Sequence, residues 1–250
     1  MRISYLGQNQ NLGSAVATND GSYTLREPTL GELYHSESGA QLETQALYMD
    51  ASGFEARLNE QQDRKLTIID VGLGLGYNAL QTIATWHQKA DTNLEIVSLE
   101  WNDALVRALT SDNLPWGGTW GADRHAFRKS LKPSYPLLWT GEITKKSPNG
   151  LTRSCSWTVC VGNASRAPLS QLVDSVDYIW QDPFSPRHDT SLWDANWFLK
   201  LRGVSHPETV LVTYSCSGFV RRSLDEAGWS WAKIPAMGKR EWLRANPKTT

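Results

Sequence analysis

Cysteine and long apolar runs are both scarce in this chain of 250 residues. The three cysteines are Cys155, Cys160 and Cys216, an odd number without the Cys-x-x-Cys spacing of metal-binding loops. A disulfide framework and a structural zinc site are therefore disfavoured, and we expect a reduced, cytoplasmic protein without a metal. No apolar run approaches the roughly 20 residues that cross a membrane. Residues 1–13 lack the basic and apolar regions of a signal peptide, so a membrane partner is not expected.

A charge excess of one sign is also missing, because 25 lysines and arginines nearly balance 26 acidic residues to leave a net charge of -1. Contact with nucleic acid would therefore need a local basic patch. The length and the 40% hydrophobic content suit one globular unit with a full core. Composition does not predict the oligomeric state.

Strand and helix patterns alternate from residue 66 onward. Residues 66–71 form an apolar strand, a glycine turn follows, residues 78–89 have the apolar spacing of a helix, and residues 94–99 form a second strand. Further strands are predicted at 137–161 (a pair), 176–180, 209–214, 229–234 and 240–245, with helices in 102–135, 168–174, 190–201 and 219–227. Such alternation predicts an α/β fold with a mostly parallel, doubly wound sheet. Residues 1–59 are predicted to form an N-terminal extension, helical at 43–49, and residues 60–250 the main domain.

The stretch 181–186, Gln-Asp-Pro-Phe-Ser-Pro, directly follows one of these strands. Ligands bind at the carboxyl ends of strands in open α/β sheets. Asp182 can accept a proton or a hydrogen bond from an amine, and Phe184 offers a flat face to a base. Pro183 and Pro186 stiffen the turn by fixing φ. These residues suggest chemistry on an amine attached to a nucleobase, although a simple turn is the alternative interpretation.

The turn after the first strand has glycines at every second position, Gly72, Gly74 and Gly76. Such a turn lets a ligand approach the backbone and opens a helix N-terminus toward it. A dinucleotide site has the pattern G-x-G-x-x-G, and here the third glycine comes one residue early. With Asp70 two residues before the first glycine, the pattern resembles the first motif of class I S-adenosylmethionine methyltransferases. That resemblance places Asp70 near the methionine end of the cofactor and adds Asn78, at the helix start, to the predicted cofactor-binding residues.

Polar residues also end the next two strands. Glu100 ends the second strand, and a carboxylate there can accept both hydroxyl groups of a ribose. Asn163 follows the strand that ends near Val161, where an amide can bind the edge of an adenine ring. The alternatives are an exposed acid at a strand end for Glu100 and a simple turn for Asn163.

Several further segments together resemble the methyltransferase part of the MnmC family, closest to its stand-alone form. They are 18–22 (T-x-D-G-S), 34–44 (Y-H-S-x-x-G-A-x-x-E-T), 182–186 with 192–193 (D-x-F-S-P and L-W), 218–228 and 239–241. The resemblance covers roughly residues 18–245. It implies a class I methyltransferase fold with a seven-stranded sheet that ends in an antiparallel hairpin strand. It also implies methylation, with S-adenosylmethionine, of the primary amine of 5-aminomethyl-2-thiouridine at the tRNA wobble position.

The resemblance implies specific roles as well. Asp182 would be the catalytic residue, as general base or as orienting acceptor, and would lie against the cofactor. Phe184 and Ser185 would contact the wobble base, and Glu43 would close over the cofactor from the N-terminal extension. Lys239 and Arg240 would contact the tRNA; two further basic groups, 221–222 and 124–132, are weaker candidates.

Two departures from the family qualify these expectations. Asn163 stands where the family usually has Asp, so we expect weaker cofactor binding at most. The sequence stops at Thr250, whereas fused family members continue into an FAD-dependent oxidoreductase domain, so neither FAD nor that reaction is expected. Three alternatives stay open: another amine methyltransferase acting on a nucleobase or a protein, a non-catalytic RNA-binding module, and, less favoured by the glycine spacing, a nicotinamide-dependent dehydrogenase.

Overall fold

The computed structural model describes residues 11–60, 64–114, 116, 122–147, 150–236 and 241–249. The strands in these ranges are β1 (Ser14–Ala17), β2 (Tyr23–Arg26), β3 (Leu66–Val71), β4 (Leu94–Glu100), β5 (Lys132–Tyr135), β6 (Leu138–Lys146), β7 (Thr152–Val161), β8 (Val176–Gln181), β9 (Ser205–Thr213), β10 (Trp229–Pro235) and β11 (Glu241–Pro247). The helices are α1 (Ala40–Glu43), which continues into a π-helix (Thr44–Ala51), then α2 (Phe54–Glu60), α3 (Tyr77–Lys89), α4 (Asp103–Thr110), α5 (Ala122–Ser130), α6 (Leu169–Leu172), α7 (Ala195–Arg202) and α8 (Gly218–Glu226). None of these helices has the length and apolar character needed to cross a bilayer.

One large sheet organises the described part of the chain, with the strand order β10-β11-β9-β8-β3-β4-β7-β6-β5. The five strands from β9 to β7 are parallel, and β11 and β10 add to them as the predicted antiparallel hairpin. These seven strands are the predicted doubly wound sheet. In the described residues β6 and β5 extend it by two antiparallel strands to nine, so the predicted count of seven is too low.

Strand β5 corrects the expectation of a mostly helical segment over 102–135. Helix α5 ends at Ser130, and Lys132–Tyr135 then pairs with β6 at the edge of the sheet. Pro133 in this segment cannot continue a helix but is tolerated in an edge strand. The basic residues before Pro133 do not indicate where helix α5 ends and strand β5 begins, because charged residues suit either an exposed helix or a sheet edge. The predicted helix at 190–201 is also shorter, since α7 begins at Ala195.

The core consists of two apolar clusters, one on each face of the sheet. On β3, the neighbouring residues Ile68 and Ile69 belong to different clusters, because successive side chains of a strand point to opposite faces. Leu80 of α3 packs in the first cluster and Leu224 of α8 in the second. All six residues of β3 are buried, as expected for a parallel strand covered by helices on both faces.

Lys145 of β6 ties this edge of the sheet to α3. Its ammonium group donates hydrogen bonds to the carbonyls of Trp86 (2.7 Å), His87 (3.1 Å) and Ala90, at the C-terminal end of the helix. The same nitrogen lies 4.9 Å from the centre of the Trp86 ring. A cation at a helix C-terminus is favoured because unpaired carbonyl groups concentrate negative potential there.

We predict that Lys145→Met destabilises the fold, because three carbonyl groups lose a charged donor. The free energy of unfolding should fall by about 2 kcal/mol in urea titrations. The neighbouring Lys146, which is exposed and bonds only the hydroxyl of Thr152 at 2.7 Å among the described contacts, supplies the control. Lys146→Met should cost less than about 0.5 kcal/mol, and equal losses in the two variants would contradict this account of Lys145.

Candidate active site

A cleft of about 1180 Å³ opens at the carboxyl ends of the parallel strands. It is formed by the turn after β3, the ends of β4 and β7, the loop after β8, and part of the N-terminal extension. The residues that line it include Glu32, Tyr34, Glu43, Gly72, Gly74, Glu100, Trp101, Asn163, Asp182, Phe184, His188 and Tyr214. Seven predicted site residues, from five separate stretches of sequence, therefore come together here.

The glycine turn adopts a backbone that side chains would strain. Gly72, Gly74 and Gly76 have φ values of 84°, 51° and 83°, in the region that favours glycine. A Cβ atom on Gly72 would lie 2.7 Å from the carbonyl oxygen of Asp182, and one on Gly74 would lie 3.2 Å from the Tyr34 ring. The turn after β3 and the loop after β8 are thus in direct backbone contact.

Asp70 is fully buried behind this turn. One carboxylate oxygen accepts a hydrogen bond from the Ser98 hydroxyl at 2.8 Å. The other has no hydrogen-bond partner among the described residues. Burial raises the pKa of Asp70 to about 7, and the nearby Glu100 carboxylate adds to the rise. A buried oxygen without a donor costs free energy, which is consistent with a position reserved for a ligand donor.

Glu100 lies at the end of β4 with both carboxylate oxygens in use. They accept the N–H groups of Gly74 at 2.7 Å and Asn102 at 2.8 Å. Burial raises the pKa of Glu100 to about 7, although these N–H donors act in the opposite direction. The carboxylate therefore ties the glycine turn to β4, and each oxygen retains a further lone pair that can accept a ligand hydroxyl.

Asp182 sits half-buried where the loop after β8 enters the cleft. Its N–H donates to the carbonyl of Val71 at 2.9 Å, which continues the β3–β8 pairing. Its carboxylate accepts a hydrogen bond from the Asn78 amide at 2.7 Å. Burial, followed by the adjacent Glu43 carboxylate, raises the pKa of Asp182 well above its ordinary value. A carboxylate with a raised pKa is suited to accept a proton near neutral pH.

The residues after Asp182 are held firmly. The carbonyl of Pro183 accepts the Tyr214 hydroxyl at 2.9 Å, and that of Phe184 accepts the indole N–H of Trp193 at 2.8 Å. The Phe184 ring lies 4.8 Å from the Tyr34 ring at an angle of 55°. The Ser185 N–H points to the Glu32 carboxylate at 3.4 Å, so the N-terminal extension contacts this loop directly.

Sequence reasoning did not single out three of the residues that line the cleft, Tyr34, Glu32 and His188. Glu32 accepts from His188 at 3.1 Å, which links the extension to the loop after β8. Tyr34 lies within one of the matching family segments, so a signal for it was present. Glu32 and His188 carry no local signal, because their contact depends on how two distant segments pack.

The remaining predicted residues have other surroundings. Asn163 is exposed at the cleft, and its side-chain oxygen accepts from the N–H and hydroxyl of Ser165 at 2.9 and 2.7 Å. Asn163 therefore also caps the turn after β7, which agrees with its alternative interpretation as part of a simple turn. Gly76 packs against the side chain of Leu109 rather than the cleft wall. Lys239 and Arg240 lie outside the described residues.

Part of the candidate basic group 124–132 has a structural role. Arg128 is 3% exposed and donates to the carbonyls of Leu109 and Ser111 at the end of α4. Arg124 is half-buried and bonds the Gln81 side chain. These two guanidinium groups hold α5 against its neighbours, so they are poor candidates for phosphate contacts.

Three comparisons place this arrangement among known proteins. A family model described as S-adenosyl-L-methionine-dependent methyltransferase matches residues 123–248. The tRNA 5-methylaminomethyl-2-thiouridine biosynthesis bifunctional protein MnmC of Burkholderia multivorans is 31% identical over 227 residues, which cover 88% of this chain and 33% of that protein. The protein of the same name from Burkholderia vietnamiensis is 30% identical over 220 residues, with coverages of 86% and 32%. This chain thus spans about a third of the length of these curated relatives.

A solved structure extends the similarity to the fold. The crystal structure of MNMC2 from Aquifex aeolicus matches with a TM-score of 0.75 at 25% identity, covering 97% of this chain and 73% of that chain. The matched portion includes both the sheet and most of the N-terminal extension, since almost the whole chain is covered.

We predict that Gly72→Ala lowers the free energy of unfolding by more than the strain of its left-handed φ alone would. A control is Gly21→Ala, because Gly21 has a similar φ of 81° but no atom within 4 Å of a Cβ. Left-handed strain alone should cost about 1–2 kcal/mol in Gly21→Ala, and the additional contact with Asp182 should add at least about 1 kcal/mol in Gly72→Ala. Urea unfolding measures both, and equal losses would contradict the close approach of the two loops.

We also predict a pH-dependent effect of Asp70→Asn in the ligand-free protein. A raised pKa in the folded state means that stability from Asp70 is present below its ordinary pKa near 3.8 and is lost as the pH rises through about 7. The stability of the variant relative to the wild type should therefore rise by roughly 3 kcal/mol between pH 4.5 and pH 8, because each unit of pKa shift corresponds to about 1.4 kcal/mol. Unfolding titrations at the two pH values check this. An equal difference at both would show that Asp70 does not titrate in this range.

Proposed function

Because this chain belongs to the S-adenosyl-L-methionine-dependent methyltransferase family, we propose that it methylates the primary amine of 5-aminomethyluridine, in particular its 2-thio form, at the tRNA wobble position. The product is the 5-methylaminomethyl nucleoside, and we propose that the reaction takes place in the cytoplasm. The observation that carries the proposal is the position of Asp182, an amine acceptor in contact with the glycine turn. The names of the MnmC relatives support the choice of substrate.

The residues around the turn fit the cofactor. Asp70 offers a buried oxygen without a donor, suited to the ammonium group of the methionine moiety. Gly72 and Gly74 leave the backbone open to close approach, and Glu100 has lone pairs for the ribose hydroxyls. When bound, S-adenosylmethionine supplies a methyl group activated by a sulfonium.

Further contacts complete the proposed cofactor site. Asn163 lines the cleft beyond the end of β7, where it would face the adenine, and Gly76 begins α3 behind the turn. Glu43 lines the cleft from the N-terminal extension, residues 1–59, which we propose closes over the cofactor.

Asp182 handles the proton in this mechanism. An alkylamine is mostly protonated at neutral pH, and an ammonium group has no lone pair for attack. Asp182 accepts the proton or holds the neutral amine by a hydrogen bond, and its raised pKa brings it closer to the pKa of the amine. Asp70, the glycine turn and Glu100 would hold the cofactor, which would supply the methyl group, and Asp182 would leave the lone pair of the amine free to receive it. The fixed loop at Pro183 and Phe184 contributes by alignment.

The substrate base has an aromatic surface to bind. Phe184 lines the cleft next to Asp182, and Tyr34 supports it from behind. We propose that the wobble base leaves the anticodon stack and packs on Phe184, as bases do on aromatic side chains in single-stranded RNA sites. Ser185 follows in the same loop as a polar neighbour. Lys239 and Arg240 are proposed phosphate contacts.

The direct test is methylation of tRNA that carries 5-aminomethyl-2-thiouridine. We predict that purified protein with S-adenosylmethionine converts it to the 5-methylaminomethyl nucleoside, detected by mass spectrometry of digested tRNA. Asp182→Asn should bind the cofactor within about threefold of wild type but lose turnover by about a hundredfold or more, because the acceptor is gone.

The control is Asp189→Asn, because Asp189 also lines the cleft but is exposed and bonds only Ser191 among the described residues. It should retain turnover within about twofold. Cofactor binding without any methylated nucleoside would refute the substrate, and normal turnover of Asp182→Asn would refute the role of the carboxylate.

A further inference from the structure

Asn78, near the start of α3, lies between the buried Thr44 and the half-buried Asp182. It is 2% exposed. Its amide nitrogen donates to one carboxylate oxygen of Asp182 at 2.7 Å, and its amide oxygen accepts from the hydroxyl of Thr44 at 3.0 Å. The three residues come from the N-terminal extension, the helix after the glycine turn, and the loop after β8. They form one hydrogen-bonded chain that ends at the cleft.

The direction of these hydrogen bonds follows from the chemistry of Asp182, the last of the three residues. An ionised carboxylate can only accept hydrogen bonds, so the nitrogen side of the Asn78 amide must face Asp182. The oxygen side then needs a donor, and the Thr44 hydroxyl can supply one. A residue without a hydroxyl at position 44 would leave that oxygen buried without a donor, and the preference of the amide for one orientation would weaken.

The π-helix adds a second group beside Asp182. Thr44 is its first residue, and Tyr48 lies four residues further on. The Tyr48 ring packs edge-on against Trp180 of β8, with ring centres 5.9 Å apart. Its hydroxyl is buried, lacks a hydrogen bond of good geometry among the described residues, and faces the Asp182 carboxylate. Short π-helical insertions occur often at functional sites, and here the insertion places the Tyr48 hydroxyl near Asp182 and the Thr44 hydroxyl against Asn78, which bonds Asp182.

We propose that Asn78, oriented by Thr44, and Tyr48 are positioning residues that hold Asp182 as an oriented acceptor. One Asp182 oxygen accepts a hydrogen bond from Asn78, and the carboxylate keeps further lone pairs that can meet the amine. In this arrangement Asn78, which is buried behind the residues that line the cleft, acts on the substrate amine through Asp182. The inference rests on the proposed function only for the identity of that amine.

The charges around Asp182 show why such donors matter. The titratable groups that face it are Glu43 from α1, Asp70 from β3, Tyr48 from the π-helix and Tyr214 after β9. Burial and the Glu43 and Asp70 carboxylates all raise the pKa of Asp182, whereas the hydrogen bond from Asn78 and the nearby Tyr48 hydroxyl, a potential donor, lower it. Loss of either donor would favour the protonated acid, which cannot accept a proton from the substrate.

The test follows the carboxyl signal of Asp182 by NMR in protein labelled with ¹³C-aspartate, assigned with Asp182→Asn and titrated without substrate. Asn78→Leu and Tyr48→Phe should each raise the pKa of Asp182 by about 1 unit, because a donor to a charged group is lost. Thr44→Val, which touches only the amide, should raise it by a smaller amount. The control is Thr85→Val on the same helix, whose hydroxyl contacts Met49 Sγ in the π-helix at 3.8 Å; it should leave the pKa unchanged.

A second readout is the pH dependence of kcat/KM for methyl transfer. The acid limb should move to higher pH in Thr44→Val and Tyr48→Phe, with the rate recovering above it, whereas a merely structural defect would lower the rate at every pH. An Asp182 pKa that stays at the wild-type value in folded Thr44→Val and Tyr48→Phe would overturn the inference. The NMR titration needs no turnover, so a wrong substrate assignment and a wrong positioning assignment give different results.

Discussion

The backbone contact between the turn after β3 and the loop after β8 is the constraint on which the site depends. The Asp182 N–H bonds the Val71 carbonyl at 2.9 Å, and a Cβ on Gly72 would lie 2.7 Å from the Asp182 carbonyl. Only a residue without a side chain allows both strands to end so close together. This contact holds the backbone of Asp182 against Gly72 and so joins the turn after β3 to the loop after β8, both of which line the cleft.

Three carboxylates gathered in one partly buried space oppose folding. Asp70 and Glu100 both have a pKa raised to about 7, and the pKa of Asp182 is also raised well above its ordinary value. Each is shifted first by burial, so the ligand-free protein stores an electrostatic penalty that a cationic ligand relieves. Such perturbed groups are typical of functional sites, and the trade of stability for activity is common among enzymes. Hydrogen-bond donors oppose this penalty at each carboxylate: Ser98 at Asp70, backbone N–H groups at Glu100, and Asn78 at Asp182.

The N-terminal extension takes part in this balance although its own sheet is only the β1–β2 hairpin. Its π-helix delivers Thr44 and Tyr48 to the neighbourhood of Asp182, and its loop delivers Tyr34 and Glu32 to the cleft. It contacts the loop after β8 and the glycine turn at the same time. One segment therefore contributes both to the surroundings of Asp182 and to the wall of the cleft.

The local pattern of the sequence determined the βαβ unit at 66–100, the left-handed glycine turn, the order of alternating elements and the acid that follows β8. These features depend on neighbours within a few residues, so periodicity and glycine spacing suffice to predict them. The sequence also indicated the family. Only the tertiary structure decided that β5 is a strand, that helix 43–51 is mostly a π-helix, and that Asn78 bonds Asp182. The last contact joins residues 104 positions apart, and it exists because the strand order places β8 beside β3, which no local pattern encodes.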